Sequence, residues 1–171
     1  ARADDYKARL LEIRARQKDA VKDGLAVTGN TTWSIDGSQT RGRKMVADIQ
    51  KLLLRAFNAE CDDIVEHVRY NNIESSEKRI TASRDAISKL GQIMGIGITA
   101  GYYRMKIDEL HLSFEWQQKK QQEYYEALLE NAGSQPQATE EVPEPETEEA
   151  PDVLKSLGIE IPEKDIDFAA L

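Results

Sequence analysis

Proline is absent from the first 133 residues of this 171-residue chain, and all five prolines, at positions 136, 143, 145, 151 and 162, fall in the remainder. A proline removes an amide donor and clashes with the preceding helical turn, so a proline-free stretch rich in Leu, Glu, Lys, Arg, Gln and Ala is free to form long helices. The expected fold is therefore mainly α: long antiparallel or coiled-coil helices, interrupted by a short β-like hairpin or loop near residues 31–38. Residues 134–151 read SQPQATEEVPEPETEEAP. Such a stretch buries too little apolar area to offset its ordering entropy, which predicts a disordered acidic linker.

Charge divides at the same point. Residues 1–133 hold 21 Lys and Arg against 20 Asp and Glu, while residues 134–171 hold 2 against 11. The overall charge of −8 and the pI near 4.9 thus belong to the tail. They say nothing against an anionic partner at the near-neutral body. A lone cysteine, Cys61, and a charged amino terminus fit a reducing, cytoplasmic setting. The longest uncharged run, residues 90–103, is well short of what a bilayer crossing needs. The chain opens on Ala rather than Met, which fits a trimmed or partial protein.

Four domains or segments are expected: an N-terminal coiled-coil helix over 1–24, a helical domain over 25–133, the linker over 134–151 and a docking peptide over 152–171. In the first helix, Tyr6, Leu10, Ile13, Gln17 and Ala20 recur at steps of four and three, and Gly24 ends it. Thr31 to Ile35 with the Asp36-Gly37 turn reads as either a small hairpin or an ordered loop, with Trp33 and Ile35 on one face plugging the end of the helical body. A second helix from Thr40 places Met45, Ile49, Leu52, Leu53, Ala56 and Phe57 in phase, continues through Cys61, Ile64, Val65 and Val68, and extends as far as Tyr70. Leu52, Leu53, Phe57, Ile64 and Val68 are the expected core of that helix. Asn71 and Asn72 break the chain and cap a third helix with the seam Ile80, Ser83, Ile87, Leu90 and Met94, closed by Gly91, Gly95 and Gly97. Thr99 caps the last and longest helix. Its register is Tyr103, Ile107, Leu110, Phe114, Gln117, Gln121, Tyr124 and Leu128, and the glutamines predict a distal half that packs loosely or meets a polar partner.

No catalytic, metal or cofactor residues are assigned. His67 and His111 lack the three or four converging ligands of a metal site and read as structural or surface histidines. Cys61 falls within an apolar seam and reads as a small buried hydrophobe. The glycines at 91, 95, 97 and 101 lack the strand and the lysine-serine pair of a phosphate loop, which favours an interhelical turn. GIGITAGYY superficially matches the tripeptides of GIY-YIG nucleases, but it leads into a helix rather than onto a sheet. Arg41, Arg43 and Lys44, at a helix start with hydroxyl neighbours, form a candidate anion or partner site beside the simpler reading of a solvated helix start. In the tail, Leu154, Leu157, Ile159, Ile161 and Phe168 return apolar character after the acidic leash and form a candidate docking peptide.

Trp33-Ser-Ile-Asp-Gly-Ser38, Gly42-Arg-Lys-Met45, Leu52-Leu-Leu-Arg-Ala-Phe-Asn-Ala-Glu-Cys-Asp62, Val68-Arg-Tyr-Asn-Asn72, Glu77-Lys-Arg-Ile80, Lys89-Leu-Gly91 and Glu109-Leu-His-Leu112 are the blocks that carry a family likeness. Over residues 20–130 the chain resembles an uncharacterised helical domain family of bacterial and phage proteins, which commonly precedes a GIY-YIG-type nuclease domain. The resemblance implies a non-catalytic module that recognises a partner or positions a nuclease, with phage–host conflict as its setting. It carries over no catalytic residue, because this chain turns acidic where longer members continue into the nuclease.

The expected function is a non-enzymatic protein-interaction or targeting module whose partner is a phage protein or a nuclease acting in trans, with self-association as a further expectation. A nucleic-acid-binding accessory using Arg41, Arg43, Lys44, Arg55 and Arg69 is the alternative, disfavoured by a body charge of only +1. A structural coiled-coil spacer is the second alternative.

Overall fold

The computed structural model describes residues 2–133. The chain is mainly α, with four helices: α1 (Ala3–Lys22), α2 (Gln39–Glu66), α3 (Ile73–Gly91) and α4 (Ala100–Gly133), and a short 3-10 turn (Gln92–Met94) after α3. The acidic linker and the proposed docking peptide lie outside the described residues.

Helix α1 forms where its apolar residues repeat, and Leu10, Ile13, Gln17 and Ala20 are buried as the register predicts. Its end is set by Gly24, whose φ of +72° lets the amide of Leu25 reach back to Ala20 O at 2.8 Å and that of Gly24 to Val21 O at 3.2 Å. This pair of bonds satisfies the last carbonyls of the helix.

The segment between α1 and α2 is an ordered loop rather than a hairpin. Ile35 and Ser38 exchange both backbone hydrogen bonds around Asp36 and Gly37, which have φ of 49° and 75°. Two consecutive positive φ values define a tight turn with glycine at its second corner. Trp33 and Ile35 share one parity and are both half-buried. The Trp33 carbonyl lies so close to α2 that a Cβ on Gly42 would collide with it. The start of the same loop is clamped to the α3–α4 connection: Thr28 N donates to Gly97 O at 2.8 Å, Asn30 N to Met94 O at 2.8 Å and Thr99 N to Ala26 O at 3.0 Å. The amides of Gly95 and Ile96 likewise donate to backbone carbonyls, so this glycine-rich connection spends those donors on the fold as an interhelical turn.

Ser38 caps α2, its Oγ accepting the Arg41 amide at 3.3 Å. The helix ends at Glu66, four residues short of Tyr70, because Asn72 folds back: its Oδ1 accepts the Arg69 amide at 2.7 Å and its Nδ2 donates to His67 O at 3.0 Å. Val68 is nevertheless fully buried in this connection.

The predicted phase of α2 is partly wrong. Phe57, Cys61, Ile64, Val65 and Val68 are core, but Leu52 is 60% exposed, Met45 is 40% exposed, and Val46 and Leu54 are buried in their place. Leu53 is only half-buried. Three successive leucines offer three phases, and the path of α2 over α4 selects the third. In α3 the same slip affects Leu90, which is 74% exposed while Gly91 is buried. Gly91 is needed there because a Cβ would strike Ile96.

Helix α4 is the spine. On one side α2 and α3 bury Phe57, Cys61, Ile64, Val68, Ile80, Ile87 and Leu110 as a single cluster, in which the rings of Phe57 and Tyr102 lie 6.4 Å apart. On another side α1 runs antiparallel to α4, from Ala3, whose amide donates to Glu123 at 3.0 Å, to Gln17, which donates to Met105 O at 3.3 Å. Two packed sides explain why Tyr102, Lys106, Glu109 and Ser113, one residue off the predicted series, are buried alongside Leu110. Of that series Leu110 is buried, Tyr103, Ile107 and Phe114 are partly buried, and Tyr124 and Leu128 are exposed.

Candidate functional site

The stripe that the periodicity missed builds the most distinctive site of the body. Glu109 and Lys106 are each 3% exposed, although both are charged residues of a kind that is almost never buried without a partner. Glu109 accepts hydrogen bonds from Arg14 Nε at 2.7 Å and Gln17 Nε2 at 2.8 Å, both on α1, and its second oxygen lies 3.6 Å from Lys106 Nζ. Lys106 in turn reaches Asp62 on α2 at 3.4 Å. One chain of charge, Arg14 to Glu109 to Lys106 to Asp62, therefore ties α1, α4 and α2 together.

Burial alone would raise the Glu109 carboxyl. The hydrogen bonds from Arg14 and Gln17 and the positive charge of Lys106 outweigh it and hold the group below its ordinary 4.5. Next to this chain, Tyr102 donates its hydroxyl to Asn58 at 2.8 Å, and its own ionisation is pushed up, mainly by burial.

These residues form the floor of a groove of about 1030 Å³ that opens between α1 and α2 along α4. One wall is the outer stripe of α1, with Leu11, Arg14, Lys18 and Val21; the other is Asn58, Asp62, Val65 and Glu66 of α2. Trp116 and Gln117 end it. Leu11 is 61% exposed and Val21 is 41% exposed, so the α1 wall presents apolar side chains to the open space. The two rims differ in sign, basic along α1 and acidic along α2. A second hollow of about 430 Å³, lined by Glu66, Arg69, Trp116, Lys120 and Tyr124 among others, continues along the same face of α4.

Such a trough has walls made of side chains at helical spacing and a floor whose charges are already paired. In shape and charge it matches an elongated apolar segment with charged flanks. One sequence signal for it exists: Arg14, Gln17, Lys106 and Glu109 fall on buried-face spacing with Leu10 and Leu110, and polar residues at such positions mark a wet or paired interface.

The cations singled out from the sequence do not converge. Arg41, Arg43 and Lys44 are exposed on the first turns of α2, where Arg41 Nη1 lies 3.4 Å from Asp36. Arg69 lies past the other end of this helix, about 40 Å away at about 1.5 Å per residue. There it donates to Val68 O at 2.7 Å and Glu66 O at 3.2 Å. Arg55 is exposed between them. The histidines are paired singly, His67 with Asp63 and His111 with Glu77 across α3 and α4. Among the described residues no group of three His, Cys, Asp or Glu is placed to hold a metal ion. Cys61 is fully buried, and burial, the largest influence on it, helps push its thiol up to about 12. Among the described residues, no helix is long and apolar enough to cross a membrane. Leu154, Leu157, Ile159, Ile161 and Phe168 lie outside the described residues.

No curated protein and no solved structure matches the chain. A family model does: that of the SNIPE-associated domain covers residues 3–121, which takes in α1 ahead of the blocks at 20–130 and both walls and the floor of the groove, and the chain belongs to this family.

Proposed function

We propose that this chain is a non-enzymatic interaction and targeting module that recognises a protein partner or positions a nuclease, in the setting of phage–host conflict. The observation that carries the reading is the groove between α1, α2 and α4, open and apolar-walled over a floor of ion pairs that bind the three helices together. The charged groups at its base serve the architecture, and its walls serve contact. Family membership supports the same reading, since the SNIPE-associated domain is an accessory domain linked to GIY-YIG nucleases rather than a catalytic family.

The test is binding of the full chain to a purified GIY-YIG nuclease by biolayer interferometry, alongside the groove variants Leu11→Arg and Trp116→Ala. Saturable binding that weakens about tenfold or more in both variants is the expected result, because a tenfold loss is about 1.4 kcal/mol and aromatic hot spots of an interface cost about 2 kcal/mol or more on truncation. Binding that ignores both substitutions would overturn the groove as the recognition surface. Metal-dependent DNA cleavage by the chain itself would overturn the non-enzymatic reading.

A further inference from the structure

We propose that two copies of this chain pair by reciprocal insertion, with the distal part of α4 of each copy, residues 122–133, lying in the groove between α1 and α2 of the other. The inference rests on the reading of that groove as an interaction surface and names its occupant.

The occupant must be an elongated segment with apolar residues and charged flanks, and this chain displays one. Helix α4 continues to Gly133, whereas α1, which runs antiparallel to it, begins at Ala3 against Glu123. Beyond that point Tyr124, Tyr125, Leu128 and Leu129 are 62, 55, 47 and 73% exposed, the densest run of exposed large hydrophobics among the described residues. A patch of this kind on a helix marks an interaction site.

Length fits as well. Residues 122–133 and the α1 wall, residues 11–22, each span about 18 Å at about 1.5 Å per residue. Charge agrees on the α1 side, where the inserting segment's Glu123, Glu126 and Glu130 meet Arg14, Lys18 and Lys22, and the acidic rim of α2, Asp62 and Glu66, favours the orientation that turns those glutamates toward α1.

Symmetry provides the strongest argument. The groove and the hollow that follows it lie along one face of α4, from Tyr102 and Lys106 through Gln117 to Tyr124. A two-fold axis near Gln117 lays the α4 of a second copy antiparallel on that face. Residues 122–133 of each copy then fall on the 102–113 stretch of the other, and the same surface serves both, as a two-fold interface requires. The polar run at 117–122 falls at the axis, and the apolar distal turns fall between the walls.

The area is sufficient. Half the surface of a cylinder about 10 Å across and 18 Å long, counted on segment and groove in both insertions, gives about 1,100 Å², at the lower edge of specific interfaces. Area alone does not set affinity, and the proposal places association within the micromolar range that the test covers.

Sedimentation velocity of the full chain from about 1 to 100 µM tests this, with Leu128→Arg on the inserting segment and Leu11→Arg on the groove wall. Both positions are exposed, so circular dichroism should be unchanged, and so should the melting curve at concentrations low enough that wild type is monomeric. Wild type should dimerise, and each variant alone should dissociate about tenfold or more readily. An equimolar mixture of the two variants restores one intact insertion, since one supplies a sound groove and the other a sound α4, and it should associate measurably more than either alone. A monomer at the highest concentration overturns the proposal. So does a dimer broken by Leu128→Arg and untouched by Leu11→Arg, which would be distal helices pairing with each other. A monomeric wild type that still binds the nuclease through its groove would overturn the pairing and leave the module reading standing.

Discussion

The two packed sides of α4 are held by opposite chemistry. Toward α2 and α3 the centre of the contact is apolar and closed, with Phe57, Cys61, Val68, Ile80 and Leu110 at 0% exposure, and polar contacts such as Lys106–Asp62 and Tyr102–Asn58 lie at its edge. Toward α1 they run through Ala3, Ala20, Gln17 and the Arg14–Glu109–Lys106 chain, with Leu10 and Ile13 the larger apolar anchors. An apolar side is non-directional and tolerates any approach that excludes water. A paired-charge side fixes one register, since each member must meet its partner. The first therefore supplies most of the stability, and the second holds α1 at the distance from α2 that leaves the groove open.

Phe57→Ala should show the largest effect, a loss of about 3–5 kcal/mol in chemical denaturation, because a fully enclosed ring leaves a cavity that the neighbouring helices fill only in part. A loss under about 1 kcal/mol would erase the contrast between the two sides. Gly42→Ala comes next. Its methyl group would meet the Trp33 backbone, so a loss of about 1–3 kcal/mol is expected, together with release of the 33–38 loop in hydrogen exchange.

On the polar side, Glu109→Ala removes the acceptor shared by Arg14, Gln17 and Lys106, and about 1–3 kcal/mol should be lost. Local rather than global exposure of α1 in hydrogen exchange would sharpen the division between the two sides; equal exposure of α1 and α2 would break it.

Acid gives a finer test of the same side. The Glu109 carboxyl is held below 4.5 when folded, so its ionised form contributes stability that is complete above that pH and is lost as the pH falls through the lowered folded value. Glu109→Gln cannot titrate. The difference in stability between wild type and this variant should be largest near neutrality and shrink in acid; a constant difference would deny the pairing. The smallest effect is expected from Leu52→Ser, within about 0.5 kcal/mol of wild type, since the side chain is 60% exposed.

The sequence was most legible where a single rule acted alone. Gly24 ended α1, Asp36-Gly37 made the turn, and the Asn71-Asn72 break separated α2 from α3, each through local backbone preference. Phase was less legible. At Leu52-Leu53-Leu54 every choice satisfied a helical period, and only the neighbour decided among them. The site was least legible of all: its one signal is the shared spacing of Lys106 and Glu109 with Leu110, which a surface ion pair beside a buried seam has as well, and nothing local says that a separate helix covers one side of them.

By itself the sequence determined that the body is helical, where its breaks fall and which residues are apolar enough to pack, because backbone preference and periodicity act over a few residues. Only the tertiary structure decided that a second stripe of α4 is buried beside the predicted one, that Arg14 and Glu109 meet across 95 positions of chain, and that a groove separates α1 from α2. Those outcomes depend on where two distant helices come to rest on a third. Helical period fixes the angle of a side chain about its own axis and carries no information about the partner that will stand opposite.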